Sequence, residues 1–454
     1  MRNIRVSQEK KGSRGITIIQ LAAIGAMFGI CGGSALSHQL VPSDEQDEQK
    51  LIVSRDTQDI KAIRDHAWQL FESITNATNG NAPAWDNWNS AYDVLRGHLI
   101  PRNGVHEFEI PRQLLAGAQA KSLSIKFSKA QPLQEVIYNP ELAAQIVSLG
   151  LYDHSKLQSL NGDYDRRHTA PSERNVPPVG RHSIALKLIW LVIPAGETAG
   201  EVGHRPLDAF PAPAPQKDYD ILACVEADDS VSDAPKCPKL NENQVSLSAF
   251  YHHQIADSER QFLINDIDAE LSKQEQHLLY EAPLLNLLQS NSKLYAVLIG
   301  FHVATKEIPD WTWTTFWWHP GPLDASTQEY VSCRPPHISH PWNNYLMDAT
   351  LSMLTPYSKL KPQLTPKICF NPYLEGQQAG GTQANCMSCH RQAAFPVAWK
   401  LPKPGEYWSG DQVLFLDNTK TDYLWSLARG ATDRVPTKIA CPSPSGVTNR
   451  ADRR

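Results

Sequence analysis

The sequence predicts an α+β fold: a mixed or antiparallel sheet in the middle of the chain, helices packed against it, and a loop-rich C-terminal region. Three observations predict this class. Apolar residues recur at three- and four-residue steps in parts of 57–320, as they do in amphipathic helices. Apolar and aromatic runs bounded by turn-forming residues alternate with these segments, as strands do. The segment 321–440 carries many prolines and has few regular patterns, and long irregular segments often line a site.

Helices are predicted wherever the apolar spacing is helical. The first begins near Thr57 and repeats through Ile60 and Ile63. Trp85 and Trp88 lie in a turn-rich loop that leads into a short helix. The other helical patterns cover 133–151, with a break near Pro140, 258–288 and 421–428.

Strands are predicted for five short apolar or aromatic runs: 182–194, 219–229, 246–255, 293–305 and 311–318. A helical segment interrupts them, so we expect an antiparallel or mixed sheet with helices on it. On the last strand, alternation places Trp311, Trp313 and Trp317 on one face, and Phe316 and Trp318 on the other. Such aromatics either fill a hydrophobic core or line the wall of a cofactor pocket, and the two interpretations are compatible.

The N-terminal residues 1–37 have the layout of a secretory signal peptide. A basic segment precedes a short apolar run, and Ala35 and Ser37 form a small-x-small end. Glycines interrupt the apolar run, so an uncleaved anchor in the inner membrane stays open. No later stretch has the 18 or so apolar residues of a membrane span. The sequence therefore predicts a periplasmic protein, with an acidic tether at 38–56 and a polar tail at 441–454.

Acidic residues exceed basic ones, with 48 Asp and Glu against 43 Lys and Arg. Binding of nucleic acid needs clustered positive charge, so no nucleic-acid partner is expected. A small net charge of this kind identifies no protein partner either.

The string Cys386-Met387-Ser388-Cys389-His390 is the most specific motif in the chain. Random placement would give roughly 0.005 such strings in a chain of this composition. A zinc site would need two further ligands at paired spacing, which the sequence lacks. A thioredoxin-like dithiol would follow an apolar strand, whereas a glycine-rich loop precedes Cys386. The motif therefore indicates attachment of a c-type haem.

In such a site Cys386 and Cys389 tether haem c through thioethers, and His390 binds the iron on the proximal side. One motif predicts one covalent haem, held in the loop-rich region 321–440 on a scaffold formed by 57–320. The other cysteines are outside the motif. Cys224 and Cys237 flank a polar loop and form a candidate disulfide, whereas the connectivity of Cys333, Cys369 and Cys441 is not readable from the sequence.

The ligand opposite His390 must come from upstream, because the 64 residues after it contain neither Met nor His. His302 is the first candidate for a distal ligand, since its neighbours are apolar and Gly300 would allow a large group to approach. A histidine in an apolar strand is, however, more often a satisfied core residue than a ligand. The other candidates are Met347, Met353, His319, His337 and His340, and an open distal position is the remaining alternative.

Several further strings resemble a family of large, mostly uncharacterised bacterial cytochrome c proteins. They are HAWQLF with WDNW, IALKLIW, GFHVATKEIPDWTWTTFWWHP, PWNNYLM, CFNPYLEG with NCMSCHRQAAFP, and TDYLWSLA. They extend from about residue 60 to residue 428, so the resemblance covers most of the mature chain. It implies a periplasmic protein with one c-type haem at Cys386, Cys389 and His390.

The function expected from these observations is electron transfer in the periplasm, with a redox partner that the sequence does not identify. The chain is much longer than an electron carrier with a single haem needs. An enzyme is therefore a rival hypothesis. The alternative is thus a haem oxidoreductase, or a small-ligand-binding sensor, with an open distal site. Coordination at the distal position would distinguish them.

Overall fold

Helices pack against an antiparallel sheet in the part of the chain that the computed structural model describes. That part comprises residues 45–57, 59–79, 82–110, 132–195, 223–226, 243–271, 284–319, 328–351, 369, 371, 386–397 and 418–430. All of them belong to one compact unit, Leu40–Arg454. The α+β class predicted from the sequence is confirmed.

The helices and strands have the following bounds. The helices are α1 (Glu45–Thr57), α2 (Ile60–Thr75), α3 (Ala91–Val94), α4 (Pro140–Leu149), α5 (His154–Arg166), α6 (Asp257–Leu271), α7 (Cys386–His390) and α8 (Trp425–Gly430). The strands are β1 (Ala77–Asn79), β2 (Ala82–Pro83), β3 (Asn89–Ser90), β4 (Pro132–Tyr138), β5 (Ile184–Pro194), β6 (Ala223–Glu226), β7 (Asn243–Ser246), β8 (His252–Gln254), β9 (Leu294–Thr305), β10 (Thr312–Trp318), β11 (Tyr345–Thr350), β12 (Ala394–Phe395) and β13 (Thr419–Lys420). None of these helices is long and apolar enough to cross a membrane.

The main sheet has the strand order β11-β10-β9-β5-β4-β3, and every neighbouring pair is antiparallel. Strand β8 pairs with the first part of β9, beyond the end of β10. The central pair runs from Ile184 opposite Thr305 to Pro194 opposite Leu294. Both of these strands are nearly continuous apolar runs, because protein covers both faces of the sheet.

The sheet has two faces with different coverings. The helix face carries Phe301 and Phe316, and α2 packs on it with the ring centroid of Phe71 4.6 Å from that of Phe316. The motif face carries Ala304 and Trp313, which pack in one apolar cluster with Met387 of α7 and Leu427 of α8. Trp313 and Phe316 lie in different clusters, as the predicted alternation requires. Trp317, however, packs in the same cluster as Phe316 and Trp318, and Trp311 precedes the strand.

Local signals explain the helices that cover the sheet. Asp59 caps α2 by accepting a hydrogen bond from the backbone N–H of Ala62 at 3.0 Å. Helix α4 begins with Pro140 in its first turn and is capped by Asn139, whose side chain accepts from the N–H of Leu142 at 3.1 Å. It ends at Gly150, which takes the left-handed conformation that a helix end favours.

The prediction of one helix over 133–151 is wrong for its first half. Those residues form β4, in which Leu133 and Ile137 are buried on the same face. Pro140 does not break a helix but starts one, because the first turn needs no N–H at that position. The apolar spacing around Pro140 combined a strand period with a helix period.

Three further regions differ from their sequence predictions. The acidic tether at 38–56 is helical from Glu45, and Leu51 of α1 is buried in the core. The run 219–229 supplies β6, which pairs in parallel with β7 in a separate two-stranded sheet. Strand β11 lies within 321–440 but is an edge of the main sheet, so the loop-rich region and the scaffold share one sheet.

Candidate functional site

The Cys-x-x-Cys-His motif forms the short helix α7. Residues three and four apart on a helix lie on one side of it, so Cys386, Cys389 and His390 face the same direction. Within the described residues, neither cysteine is in a disulfide. Buried Met387 anchors this short helix in the apolar cluster of the motif face.

The ring of His390 is held by a backbone carbonyl. Its Nδ1 lies 2.9 Å from the carbonyl oxygen of Tyr423. A carbonyl oxygen only accepts hydrogen bonds, so Nδ1 carries the proton and donates. The neutral ring then offers the lone pair of Nε2 to a metal, which is how hydrogen bonding fixes the tautomer of a metal-binding histidine.

A short strand pair and two hydrogen bonds bring Tyr423 next to His390. After α7, strand β12 pairs antiparallel with β13, so the chain around residue 420 returns beside the motif. The N–H of Thr421 donates to the carbonyl of Ala393 at 2.9 Å. The indole of Trp425 donates to the carbonyl of Cys389 at 3.2 Å. The turn 421–424 is therefore tied to the motif on both sides of Tyr423.

His390 packs on the sheet through Trp313, whose ring centroid is 4.5 Å away. Burial lowers the pKa of His390 to about 4, and the nearby positive charges of His302 and Lys187 act in the same direction. The ring is thus neutral at physiological pH. The interaction also shows that both basic side chains lie within electrostatic range of His390.

The structure places His302 on the motif face. It lies in β9 opposite Lys187 of β5 and opposite Thr315 of β10. Thr315 is in turn opposite Asp348 of β11. Directly opposed residues have side chains on one face, so these four form a polar row across four strands, next to the row that contains Trp313.

Gly300 does not leave the open space near His302 that the sequence predicted. The sequence suggested that this glycine lets a large group approach. A Cβ at Gly300 would lie 3.0 Å from Nδ2 of Asn371. The same Nδ2 donates to Oγ1 of Thr315 at 2.8 Å and to the carbonyl of Phe316 at 2.9 Å. The glycine therefore admits a buried asparagine that holds Thr315 within the polar row.

The other distal candidates within the described residues lie elsewhere. Met347 is opposite Phe316 and so belongs to the helix face. His337 contacts Glu72 of α2 at 2.6 Å, and His340 is two residues from Trp342, which packs near Phe71 on the same side. His319 follows β10, about 20 Å along the strand from Trp313 at the usual rise. Met353 lies outside the described residues.

The remaining cysteine predictions are only partly within the described residues. Cys237 and Cys441 lie outside them, so the proposed Cys224–Cys237 disulfide stays a prediction. Cys333 and Cys369 are not in disulfides. The thiol of Cys386 lies 3.9 Å from the carbonyl of Cys369, which places the start of the motif beside this buried residue.

A second group of polar side chains, which the sequence analysis missed, is buried on the opposite side of the sheet. We call it the acid–histidine cluster; its members are the buried Asp86, Arg102, His106, Glu135 and Glu259 and the partly exposed His253. Arg102 donates to Oε1 of Glu135, and Nδ1 of His106 lies 3.0 Å from Oε2 of the same carboxylate. The backbone N–H of His106 donates to Glu259 at 2.6 Å.

Opposite charges within the acid–histidine cluster shift the pKa values of Glu135 and His106. Burial alone would raise the pKa of Glu135, but the charges of Arg102 and His106 lower it to about 2. Burial opposes the charged form of His106, yet Glu135 and Asp86 raise its pKa. No shared motif joins these residues in the sequence, so only the fold reveals the cluster. Among the described side chains, no group of three or more His, Cys, Asp or Glu is arranged to hold a metal ion.

The chain matches no protein-family description, no curated protein and no solved structure. The resemblance to large cytochrome c proteins stays a prediction from the sequence.

Proposed function

We propose that this protein is a monohaem c-type cytochrome that is exported to the periplasm and transfers electrons. Cys386 and Cys389 would hold the haem through thioethers, and His390 would bind the iron. One observation carries the proposal: the motif is helical, and the Tyr423 carbonyl holds the Nδ1 proton of His390 so that Nε2 is the metal-binding nitrogen. A bound haem would supply a one-electron couple.

The residues around the motif are suited to hold a covalently bound haem. Trp313 gives His390 an apolar wall, which limits contact of that side of the ring with water. The tie from Trp425 to the Cys389 carbonyl holds the second cysteine beside the histidine. These contacts hold the His390 ring and the backbone of Cys389 next to each other, which suits attachment to a single rigid ring.

His302 is the distal ligand that we propose. It lies on the motif face and is close enough to His390 for its charge to lower the pKa of that ring. The other described candidates lie on the helix face or at the far end of β10. Two histidine ligands would close the iron to outside molecules and favour a carrier over an enzyme.

Covalent attachment is the first test. The full chain is produced with export and haem-attachment functions, and haem is measured after denaturation, when only a covalent group stays with the chain. We expect one haem per chain, and none in the Cys386→Ser, Cys389→Ser double variant. Cys333→Ser is the matched control, since this cysteine is outside the motif, and it should keep the haem. A wild-type protein without covalent haem contradicts the proposal.

Export is tested with the same strain. Cell fractionation should find the haem-containing chain in the periplasm, with mass spectrometry placing its N-terminus near residue 38. Recovery with the inner membrane and an intact N-terminus would instead indicate an uncleaved anchor. Haem-free protein confined to the cytoplasm would contradict export.

Optical and electron paramagnetic resonance spectra then distinguish the carrier from its alternative. Low-spin iron that does not bind carbon monoxide is expected for the wild type. His302→Ala should become high-spin and bind carbon monoxide, whereas His337→Ala, an exposed histidine on the helix side, should not change. A wild type that binds carbon monoxide readily would point to the haem oxidoreductase or sensor, and Lys187 beside His302 would then favour an anionic ligand.

A further inference from the structure

The turn that holds His390 has an unusual backbone. Asp422 and Tyr423 both have positive φ, 48° and 68°. Such a conformation is unfavourable for residues with a Cβ, although Asp adopts it more readily than Tyr does. Two successive residues of this kind persist only where surrounding contacts fix them. The backbone carbonyl of Tyr423, the second of these residues, accepts the hydrogen bond from Nδ1 of His390.

The loop between β9 and β10 supplies those contacts. Lys306 directly follows β9, and its ammonium group lies 2.5 Å from Oδ1 of Asp422. The indole N–H of Trp311, just before β10, donates to the same oxygen at 3.3 Å. The hydroxyl of Tyr423 donates to Asp310 at 2.7 Å. One hairpin loop thus holds both residues of the turn.

Burial strengthens the ion pair between Lys306 and Asp422. The side chain of Lys306 is 9% exposed and that of Asp422 is 11% exposed, so water screens their attraction little. The ammonium group also donates to the carbonyl of Pro309 at 2.8 Å, and the second oxygen of Asp422 accepts from the N–H of Val179 at 3.3 Å. Both charges therefore have additional hydrogen-bond partners.

We infer that Lys306 and Asp422 are positioning residues for the proximal ligand: they hold the turn 421–424 in the conformation that aims the Tyr423 carbonyl at Nδ1 of His390, and so set the donor strength of that histidine toward iron. This inference rests on the proposed function. A hydrogen bond from Nδ1 makes the imidazole a stronger donor, which stabilises ferric over ferrous iron. Loosening the turn should therefore raise the reduction potential.

The test is a redox titration of the purified haem protein and its variants. Asp422→Gly removes the anchored carboxylate but leaves a residue that accepts positive φ. It should shift the ferrous-to-ferric ratio at a given applied potential at least tenfold toward ferrous, which is about 59 mV. Asp422→Asn keeps the tolerance of positive φ and an acceptor for Trp311, so it should shift the ratio less.

A matched control is available next to Lys306. Glu307 is buried, lies 3.0 Å from His66 and accepts a hydrogen bond from the hydroxyl of Thr305. Within the described part of the chain it has no hydrogen bond or ion pair with the turn 421–424. Glu307→Gln is the same carboxylate-to-amide change as Asp422→Asn and should leave the potential unchanged. Lys306→Met removes the other partner of the ion pair with Asp422 and should also raise the reduction potential. This second variant keeps the test decisive if Asp422→Gly does not fold.

Exchange of the His390 Nδ1 proton, followed by NMR in the ferrous protein, gives a second reading. It should accelerate in Asp422→Gly and not in Glu307→Gln. Full covalent haem with an unshifted potential in Asp422→Gly and Lys306→Met would overturn the inference while leaving the proposed function intact. A wild type without haem would instead contradict the proposed function itself.

Discussion

The two faces of the main sheet bury polar groups in different ways. On the helix face, the acid–histidine cluster pairs Arg102, His106 and Glu135 with one another. On the motif face, the Tyr423 carbonyl fixes Nδ1 of His390, and Nε2 would be the nitrogen that binds iron in the proposed site. The first arrangement contributes to stability, and the second would hold a metal ligand under the proposed function. Changes on the helix face should therefore alter stability without altering the haem, and changes on the motif face should alter both.

Removal of Arg102 is the largest expected effect. Arg102→Met leaves Glu135 buried with half of its positive partners gone, and breaking a buried pair costs about 3–5 kcal/mol. Urea unfolding should show this loss in the free energy of unfolding, while the optical spectrum of the haem stays that of the wild type. Lys61→Met, which removes an exposed pair with Asp65, is the control and should change little. A spectral change in Arg102→Met would break the separation between the faces.

Acid should destabilise the protein through the same carboxylate. The pKa of Glu135 is lowered from its ordinary 4.5 to about 2, so its ionised form stabilises the folded state. That contribution, on the order of 3 kcal/mol, is complete above pH 4.5 and is lost as the pH falls from about 4.5 to 2. Unfolding measured across this range should show a slope that is reduced in Glu135→Gln. An unchanged slope would mean that another group titrates.

A smaller effect is expected at Gly300 on the motif face. Gly300→Ala would place a methyl group 3.0 Å from Nδ2 of Asn371 and 3.2 Å from the carbonyl oxygen of Phe316. The overpacking should cost about 1–3 kcal/mol. Because Asn371 also binds Thr315, next to His302, the haem spectrum should change as well. Loss of stability with an unaltered spectrum would show that the polar row is not part of the haem environment.

Local patterns in the sequence were enough to predict the Cys-x-x-Cys-His motif and three strands of the main sheet. Five contiguous residues carry the haem motif, and β5, β9 and β10 stand out as apolar or aromatic runs between turn-forming residues. Strand β4 was missed because its buried face alternates apolar residues with Glu135, whose burial depends on Arg102 and His106.

The proximal hydrogen bond could not be predicted in the same way. Its acceptor is a backbone carbonyl 33 residues after His390, and any residue type could supply that atom. The pairing of β12 with β13 and the long-range contacts of the turn 421–424 bring it there. The acid–histidine cluster has the same character, because Arg102, Glu135 and Glu259 come from segments far apart in the chain.

The hairpin loop at 306–311 also implies an order of assembly. Strands β9 and β10 are neighbours in sequence, so they close a short loop at little entropic cost. The contact from Lys306 to Asp422 spans 116 residues, so we expect it to form after the hairpin. The hairpin can thus serve as a template on which the C-terminal segment docks last. A chain truncated before residue 418 should retain the sheet, whereas its motif would have lost the partner that orients the histidine.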